Sequence, residues 1–415
     1  ITILSMLWVL ISLAIAVSGS KILVLLDSWN IKDTHAKYFN FLESQGNQLT
    51  YRMADSAGIK IEKYGEALYE AIVLAAPSVE DLGGKTTVDD LLSFFDTYEG
   101  SIIMFADTDA GLLYRKLANN FGYDFYEQGA RVYNADKDSI VKTTNVTAPE
   151  IIAAKATKPI HLSGVPFYMK KETSLSVSTL VASNKAFVQN DLKFKDKYSD
   201  SGSEIILGAA TQGRNNARFV ILGSLDICKN EFYDDSSKGN KDFCQQISDW
   251  ALKNKGVLRY SGITNYRVDE HTKPGTVEKG YLEKEYTVKD KVYYSIDIEE
   301  YDGKTKTWKP FTSSKVYMDF IMLDPKIRKY LSNNNGLYYT EFVAPDVHGV
   351  YQFKVHFNQP GYTWINTATE ASVRPYRHNQ YERFLTCAYP YYFSVFSTIV
   401  GFLVFSFYFL YHKDT

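Results

Sequence analysis

Residues 21–27 read KILVLLD, five consecutive apolar side chains between a lysine and an aspartate. Successive strand residues point to opposite faces, so an unbroken apolar run must be covered on both faces. Three more runs follow in QLTYRMAD (48–55), AIVLAAP (71–77) and SIIMFAD (101–107). Amphipathic segments separate them. After the first run, Asp33 or Thr34 suits a helix N-cap, Tyr38, Phe39 and Leu42 share a face, and Gly46 suits the end. After the third, Leu91, Leu92, Phe94 and Phe95 repeat the pattern up to Gly100. Strands alternating with helices predict an α/β fold with a parallel sheet, flavodoxin- or amidotransferase-like, over residues 21–125.

A second, less regular α/β part is expected over 126–262. EIILGAA (204–210) and FVILGSLD (219–226) are its strand runs, and DFCQQISDWALKNKG (242–256) is its helix. Past Gly262 the period becomes two. Val292, Tyr294, Ile296 and Ile298 alternate with polar neighbours, as do Tyr351, Phe353, Val355 and Phe357. Asp302-Gly303 marks a hairpin. A β-sandwich of immunoglobulin-like type is predicted for 263–375, followed by a juxtamembrane stretch at 376–390.

Residues 391–411 carry no charge and make a helix of about 31 Å, enough for one bilayer crossing. Tyr389, Tyr391 and Tyr392 at its start, and Tyr408 and Tyr411 near its end, fall where interfacial aromatic belts form. Ser394, Ser397 and Gly401 offer small positions for close approach of a neighbouring membrane helix. Residues 412–415 are then a cytosolic tail. At the other end, ITILSMLWVLISLAIAVSGS (1–20) has the apolar core and small closing residues of a signal peptide, and the alternative is a short permanent span. Arg374, Arg377 and Arg383 precede the anchor and only Lys413 follows it, opposite to the positive-inside bias. That bias governs short loops, so a signal-led chain still places the bulk in the lumen, as a single-pass type I protein.

The composition, 23% charged and 45% hydrophobic over 415 residues with formal charge −2, gives no basic excess for nucleic acid. Cys228 and Cys244 bracket a polar loop; they either close it with a disulfide worth about 3 kcal/mol or remain two buried thiols. Cys387 stays unpaired in both cases. Asn145-Val146-Thr147 is a glycosylation sequon.

The search for chemistry gives little. Asp27, Asp55, Asp107, Asp109 and Asp226 follow strands, where carboxylates serve acid–base work or cation binding but more often cap the next turn. Gly83-Gly84-Lys85-Thr86 lacks the first glycine of a phosphate loop, since position 79 is Val. No dinucleotide fingerprint or nucleophile elbow is present, and the seven histidines show no zinc spacing. No cofactor or metal is expected.

KILVLLD with THAKYF after it, KYGEALYE, PSVEDLGG, RNNARFVILGSLD, GVYQFKV, and SVRPYRHNQYERF followed by AYPYYFS appear in that order along the chain. Together they resemble the 48-kDa non-catalytic subunit of the eukaryotic oligosaccharyltransferase complex, from Lys21 to Tyr411. The resemblance implies an accessory role in moving a preassembled oligosaccharide from dolichyl diphosphate to Asn of Asn-X-Ser/Thr sequons in the endoplasmic reticulum. It implies a hetero-oligomer with the catalytic subunit, ribophorin I and II type subunits and a defender against cell death type subunit. The catalytic Trp-Trp-Asp motif belongs to another subunit; here Trp8, Trp29, Trp250, Trp308 and Trp364 are isolated. The tail offers His412-Lys413 where some of the family carry a lysine pair. The competing expectations are a lumenal amidotransferase-like hydrolase using Cys228 and an Asp from a strand end, and a cell-surface binding protein using the sandwich.

Overall fold

The computed structural model describes residues 19–134, 136, 138–147, 156–170, 175–190, 202–269, 277–323 and 325–413. Residues 1–18 of the signal-like segment and 414–415 of the tail lie outside the described residues.

The apolar runs form strands β1 (Lys21–Leu26), β2 (Gln48–Met53), β3 (Ala71–Ala75) and β4 (Ser101–Phe105). Further along come β5 (Tyr123–Phe125), β6 (Phe167–Met169), β7 (Ser176–Val181), β8 (Ile206–Gln212) and β9 (Arg218–Leu222). All nine join one sheet, ordered β2-β1-β3-β4-β9-β8-β6-β5, with β7 also paired to β8. The first five are mutually parallel; β8, β7, β6 and β5 extend the sheet antiparallel. The stretches 21–125 and 126–262 therefore share a single sheet, because β9 pairs directly with β4.

Alternation along β1 shows why the run is apolar throughout. Ile22, Val24 and Leu26 enter one core, with Tyr38, Phe39 and Leu42 of helix α1 (Ala36–Ser44). Leu23 and Leu25 enter the opposite core, with residues of α2 (Val88–Asp96) and α3 (Leu112–Asn120). Helix α4 (Asn240–Ala251) returns to the first face through Phe243, Ile247 and Trp250. Neither Asp33 nor Thr34 caps α1: a short helix, Asn30–Thr34, intervenes, and Thr34 Oγ1 donates to the Ile31 carbonyl at 3.3 Å. Thr87 and Asp90 instead form a reciprocal capping box at α2.

Past the α/β unit come strands β10 (Val257–Arg267), β11 (Glu285–Thr287), β12 (Lys291–Asp302), β13 (Thr307–Pro310) and β14 (Tyr317–Ile321). They continue with β15 (Pro325–Tyr330), β16 (Ser332–Asn334), β17 (Leu337–Val343), β18 (Gly349–Phe357) and β19 (Ile365–Arg374). One sheet runs β10-β12-β17-β16 with β13 on β12; the other runs β11-β19-β18-β14-β15. The alternating residues Val292, Tyr294, Ile296 and Ile298 share one core with Tyr351, Phe353, Val355 and Phe357. Tyr294 and Phe353, from different sheets, stack at 5.1 Å between ring centroids.

Tyr362 packs on both this core and the α/β core. Beside it, Trp250 Nε1 donates to the Gly361 carbonyl at 2.9 Å and Asn216 Oδ1 accepts from the Trp364 backbone at 3.0 Å. The chain ends in α5 (Tyr389–Tyr411), which buries none of its residues.

Candidate functional site: strand-end carboxylates, the cysteine pair and the anchor

Three of the five strand-end aspartates are held by their own surroundings. Asp27, after β1, accepts from Ser78 Oγ at 2.6 Å. Asp107, after β4, is half-buried and accepts from the Thr108 backbone at 2.7 Å. Asp226 opens a short 3-10 helix after β9, with Lys229 Nζ 3.8 Å away. Asp55 and Asp109 are exposed. Burial first, and then the charges of Asp226 and Asp109, push the Asp107 carboxyl above the usual carboxylate range, against the pull of its Thr108 hydrogen bond and of Arg131. Strand-end position alone reveals neither Arg131 nor Ser78 as partners; both come from distant parts of the chain.

His35 lies under this end of the sheet, only 4% exposed. Nε2 lies 3.0 Å from the Leu225 carbonyl and Nδ1 3.2 Å from the Ile31 carbonyl; a carbonyl can only accept, so whichever nitrogen carries the proton donates to its own carbonyl. Burial lowers its pKa from the ordinary histidine value, more than the neighbouring carbonyls and Asp226 raise it. His35 thus fastens the start of α1 to the loop after β9. It is not aligned as a base on a free nucleophile, for Cys228, three residues beyond Leu225, is bonded to Cys244 with 6.1 Å between Cα atoms. With its sulfur in a disulfide, Cys228 presents no thiolate. Cys387 is free and exposed.

Among the described residues no group of three or more His, Cys, Asp or Glu side chains is placed to hold a metal ion. Clefts of about 420, 390 and 380 Å³ open elsewhere on the molecule, and none is lined by Asp27, Asp107 or Asp226. The arrangement can cap turns and tie loops. It does not converge two carboxylates on an open space.

Asn145 is half-buried beside the strand-like segment 180–182. Its Nδ2 donates to the Ala182 carbonyl at 3.0 Å, and Thr147 Oγ1 donates to the Ser178 carbonyl at 3.0 Å. In the anchor, Ser397 Oγ and Thr398 Oγ1 both donate to the Ser394 carbonyl, at 2.9 and 2.8 Å. The hydroxyls are thereby satisfied within the helix. A Cβ added at Gly401, on the same face, would meet nothing within 4 Å. Ser394, Ser397 and Gly401 therefore leave a low, unoccupied strip along a helix that is otherwise mostly aromatic and aliphatic.

Nearly all of the chain matches proteins already classified. Residues 13–254 fit the model of the OST48 N-terminal domain and residues 268–413 that of the OST48 middle domain. The dolichyl-diphosphooligosaccharide--protein glycosyltransferase 48 kDa subunit of Danio rerio is 35% identical, covering 95% of this chain and 92% of the relative. The subunit of the same name in Arabidopsis thaliana is 34% identical, covering 95% and 93%. Among solved structures, Agd3, a carbohydrate deacetylase, superposes with a TM-score of 0.31 at 14% identity, over 49% of this chain and 29% of its own, which is too distant to bear on function. On the strength of two family models and relatives matched nearly end to end, the chain belongs to the family of 48 kDa subunits of dolichyl-diphosphooligosaccharide–protein glycosyltransferase.

Proposed function

We propose that this chain is a non-catalytic, structural subunit of the oligosaccharyltransferase complex, which transfers a preassembled oligosaccharide from dolichyl diphosphate to Asn-X-Ser/Thr sequons. The carrying observation is a family match that runs through both globular units and into the apolar helix. The site chemistry supports the accessory role. Carboxylates at the strand ends are engaged by Ser78 and backbone Thr108, and Cys228 is consumed in a disulfide.

In this reading α5 crosses the endoplasmic reticulum membrane once and the bulk of the chain is lumenal. The parallel strand order β2-β1-β3-β4-β9 is read as flavodoxin-like, and the two facing sheets as an immunoglobulin-like sandwich. The strip at Ser394, Ser397 and Gly401 docks on membrane helices of the complex, whose members are the catalytic subunit and the ribophorin I and II and defender against cell death types. Asn145 takes its glycan before the segment 178–182 closes on it, since the folded chain engages its amide.

Depleting the protein should lower sequon glycosylation and recovery of the intact complex together, and affinity purification in mild detergent should return stoichiometric companions. Normal glycosylation after complete depletion would sink the proposal.

A further inference from the structure

Residues 376–388 join the β unit to α5, and all of them but Tyr376 and Ala388 are exposed. One side of the stretch is tied down. Arg374 pairs with Glu285 at 2.7 Å and donates at 2.9 Å to Gln380 Oε1, which also accepts from the Arg377 backbone at 3.0 Å. Tyr376 leans on the β core, and its ring lies 5.6 Å from that of Tyr381. The other side is bare. Tyr381, Phe384 and Leu385 are 59, 62 and 52% exposed, and Tyr389, at the start of α5, is 56% exposed. Arg377, His378 and Arg383 are exposed among them, and Glu382 is the only acid between residues 376 and 411. The Arg383 guanidinium rests 5.6 Å from the Phe384 ring centre, and neither Arg377 nor Arg383 meets a carboxylate among the described residues.

Four large apolar side chains bared within nine residues, interleaved with unpaired guanidinium groups, make a poor water-facing linker. They suit a lipid headgroup layer, where rings sit at the level of the glycerol and guanidinium forks grip phosphate. The dimensions agree. A 3-10 turn rises about 2 Å per residue, so Thr386–Ala388 adds about 6 Å to the end of α5. The headgroup layer on each side of a bilayer is about 5–8 Å thick.

We propose that residues 376–389 form a collar lying in the headgroup layer, with Arg377 and Arg383 on lipid phosphates and Tyr381, Phe384, Leu385 and Tyr389 seated between headgroups. The occupant is lipid, because the collar is continuous with the span and its charge complements phosphate. The collar also accounts for arginines on the side of α5 that the positive-inside bias disfavours. The proposal rests on the reading of α5 as a membrane span.

The test uses the full chain reconstituted in phosphatidylcholine vesicles, with Cys387→Ser removing the free thiol and a spin label on Tyr381→Cys, Phe384→Cys, Phe402→Cys or Tyr64→Cys in turn. Power saturation with oxygen and a nickel chelate reports depth. Labels at 381 and 384 should read between the deep label at 402 and the aqueous label at 64, and adding Arg377→Gln with Arg383→Gln should shift them toward the aqueous value. If 381 and 384 read as aqueous as 64 while 402 stays deep, the collar is overturned and the span survives. If 402 is aqueous too, the span itself fails. Labels aqueous in vesicles but shielded in the purified complex would show that a protein neighbour covers this surface, which also overturns the lipid assignment. No shift in the arginine variant overturns the phosphate contact.

Discussion

At the residue scale, His35 and Asp107 sit at the same end of the sheet and pull stability in opposite directions with pH. Burial holds the folded pKa of His35 below its unfolded value of about 6.5, so its contribution is full above that pH and is lost as pH falls through 6.5 toward the folded value. Asp107 has the reverse sign. Its folded pKa is raised, so folding is favoured near and below the unfolded value of about 3.9 and that gain is lost as pH rises through the folded value. Urea midpoints measured from pH 7.5 to 5 should fall on the acid side, and His35→Gln should flatten that fall; an equal slope in the variant refutes the assignment. Asp107→Asn keeps an acceptor for the Thr108 backbone while removing a half-buried charge. It should melt higher at pH 7, with the advantage shrinking toward pH 4, and should leave sequon glycosylation unchanged. Lost glycosylation at normal complex recovery would give Asp107 a chemical role after all.

At the scale of elements, the sequence was most legible where a single period ran uninterrupted. β1, β3 and β4 lie where their apolar runs place them, and the alternation in β18 maps residue by residue onto the buried face, whereas in β12 Tyr293 and Ser295 of the other face are buried too. Legibility failed where long-range contacts decide. Nothing local in 126–262 says that β9 inserts beside β4 while β8 turns antiparallel, since pairing depends on which edge is free when the strand arrives. The N-terminus of α1 differs from the expectation for a related reason: Asp33 and Thr34 carry good capping side chains, but they lie in the short helix Asn30–Thr34, and α1 begins after His35, which reaches the distant Leu225 carbonyl. The anchor is legible from hydropathy alone, whereas its partners are not. If the strip at Ser394, Ser397 and Gly401 is a docking face, Gly401→Leu fills open space on it and should reduce co-purification of the complex several-fold without changing the melting of the globular units. Undiminished recovery would move the docking face elsewhere on α5.

At the scale of the molecule, the α/β and β units meet at the loop 250–256, which one buried cation holds in place. Arg218, on β9, is 1% exposed and has no acidic partner among the described residues. Its guanidinium donates to the carbonyls of Trp250, Lys255 at 2.6 Å and Gly256 at 3.0 Å, and lies 4.8 Å from the centre of the Trp250 ring. Burial pulls its pKa down to about 9, so the charge is costly and persists at neutral pH because the carbonyls and ring replace water. The same carbonyl of Gly256 accepts from the Thr363 backbone at 3.0 Å, and Trp250 binds Gly361, so one cluster fastens the loop 250–256 to the loop 361–364 across the junction. Hydrogen bonds from a charged donor are worth about 1.5–3 kcal/mol each. Arg218→Lys, which cannot fork to three carbonyls, should therefore cost roughly 2–5 kcal/mol. Trp250→Phe keeps a ring under the guanidinium and removes the bond to Gly361. If this cluster couples the units, the full chain in detergent should unfold in one calorimetric transition, and each variant should split it in two, with the α/β transition moved lower in both, since Trp250 is itself buried in the α/β core. A single transition that merely shifts in both variants would mean that the apolar contact of Tyr362 with both cores, and not the Arg218 cluster, carries the coupling.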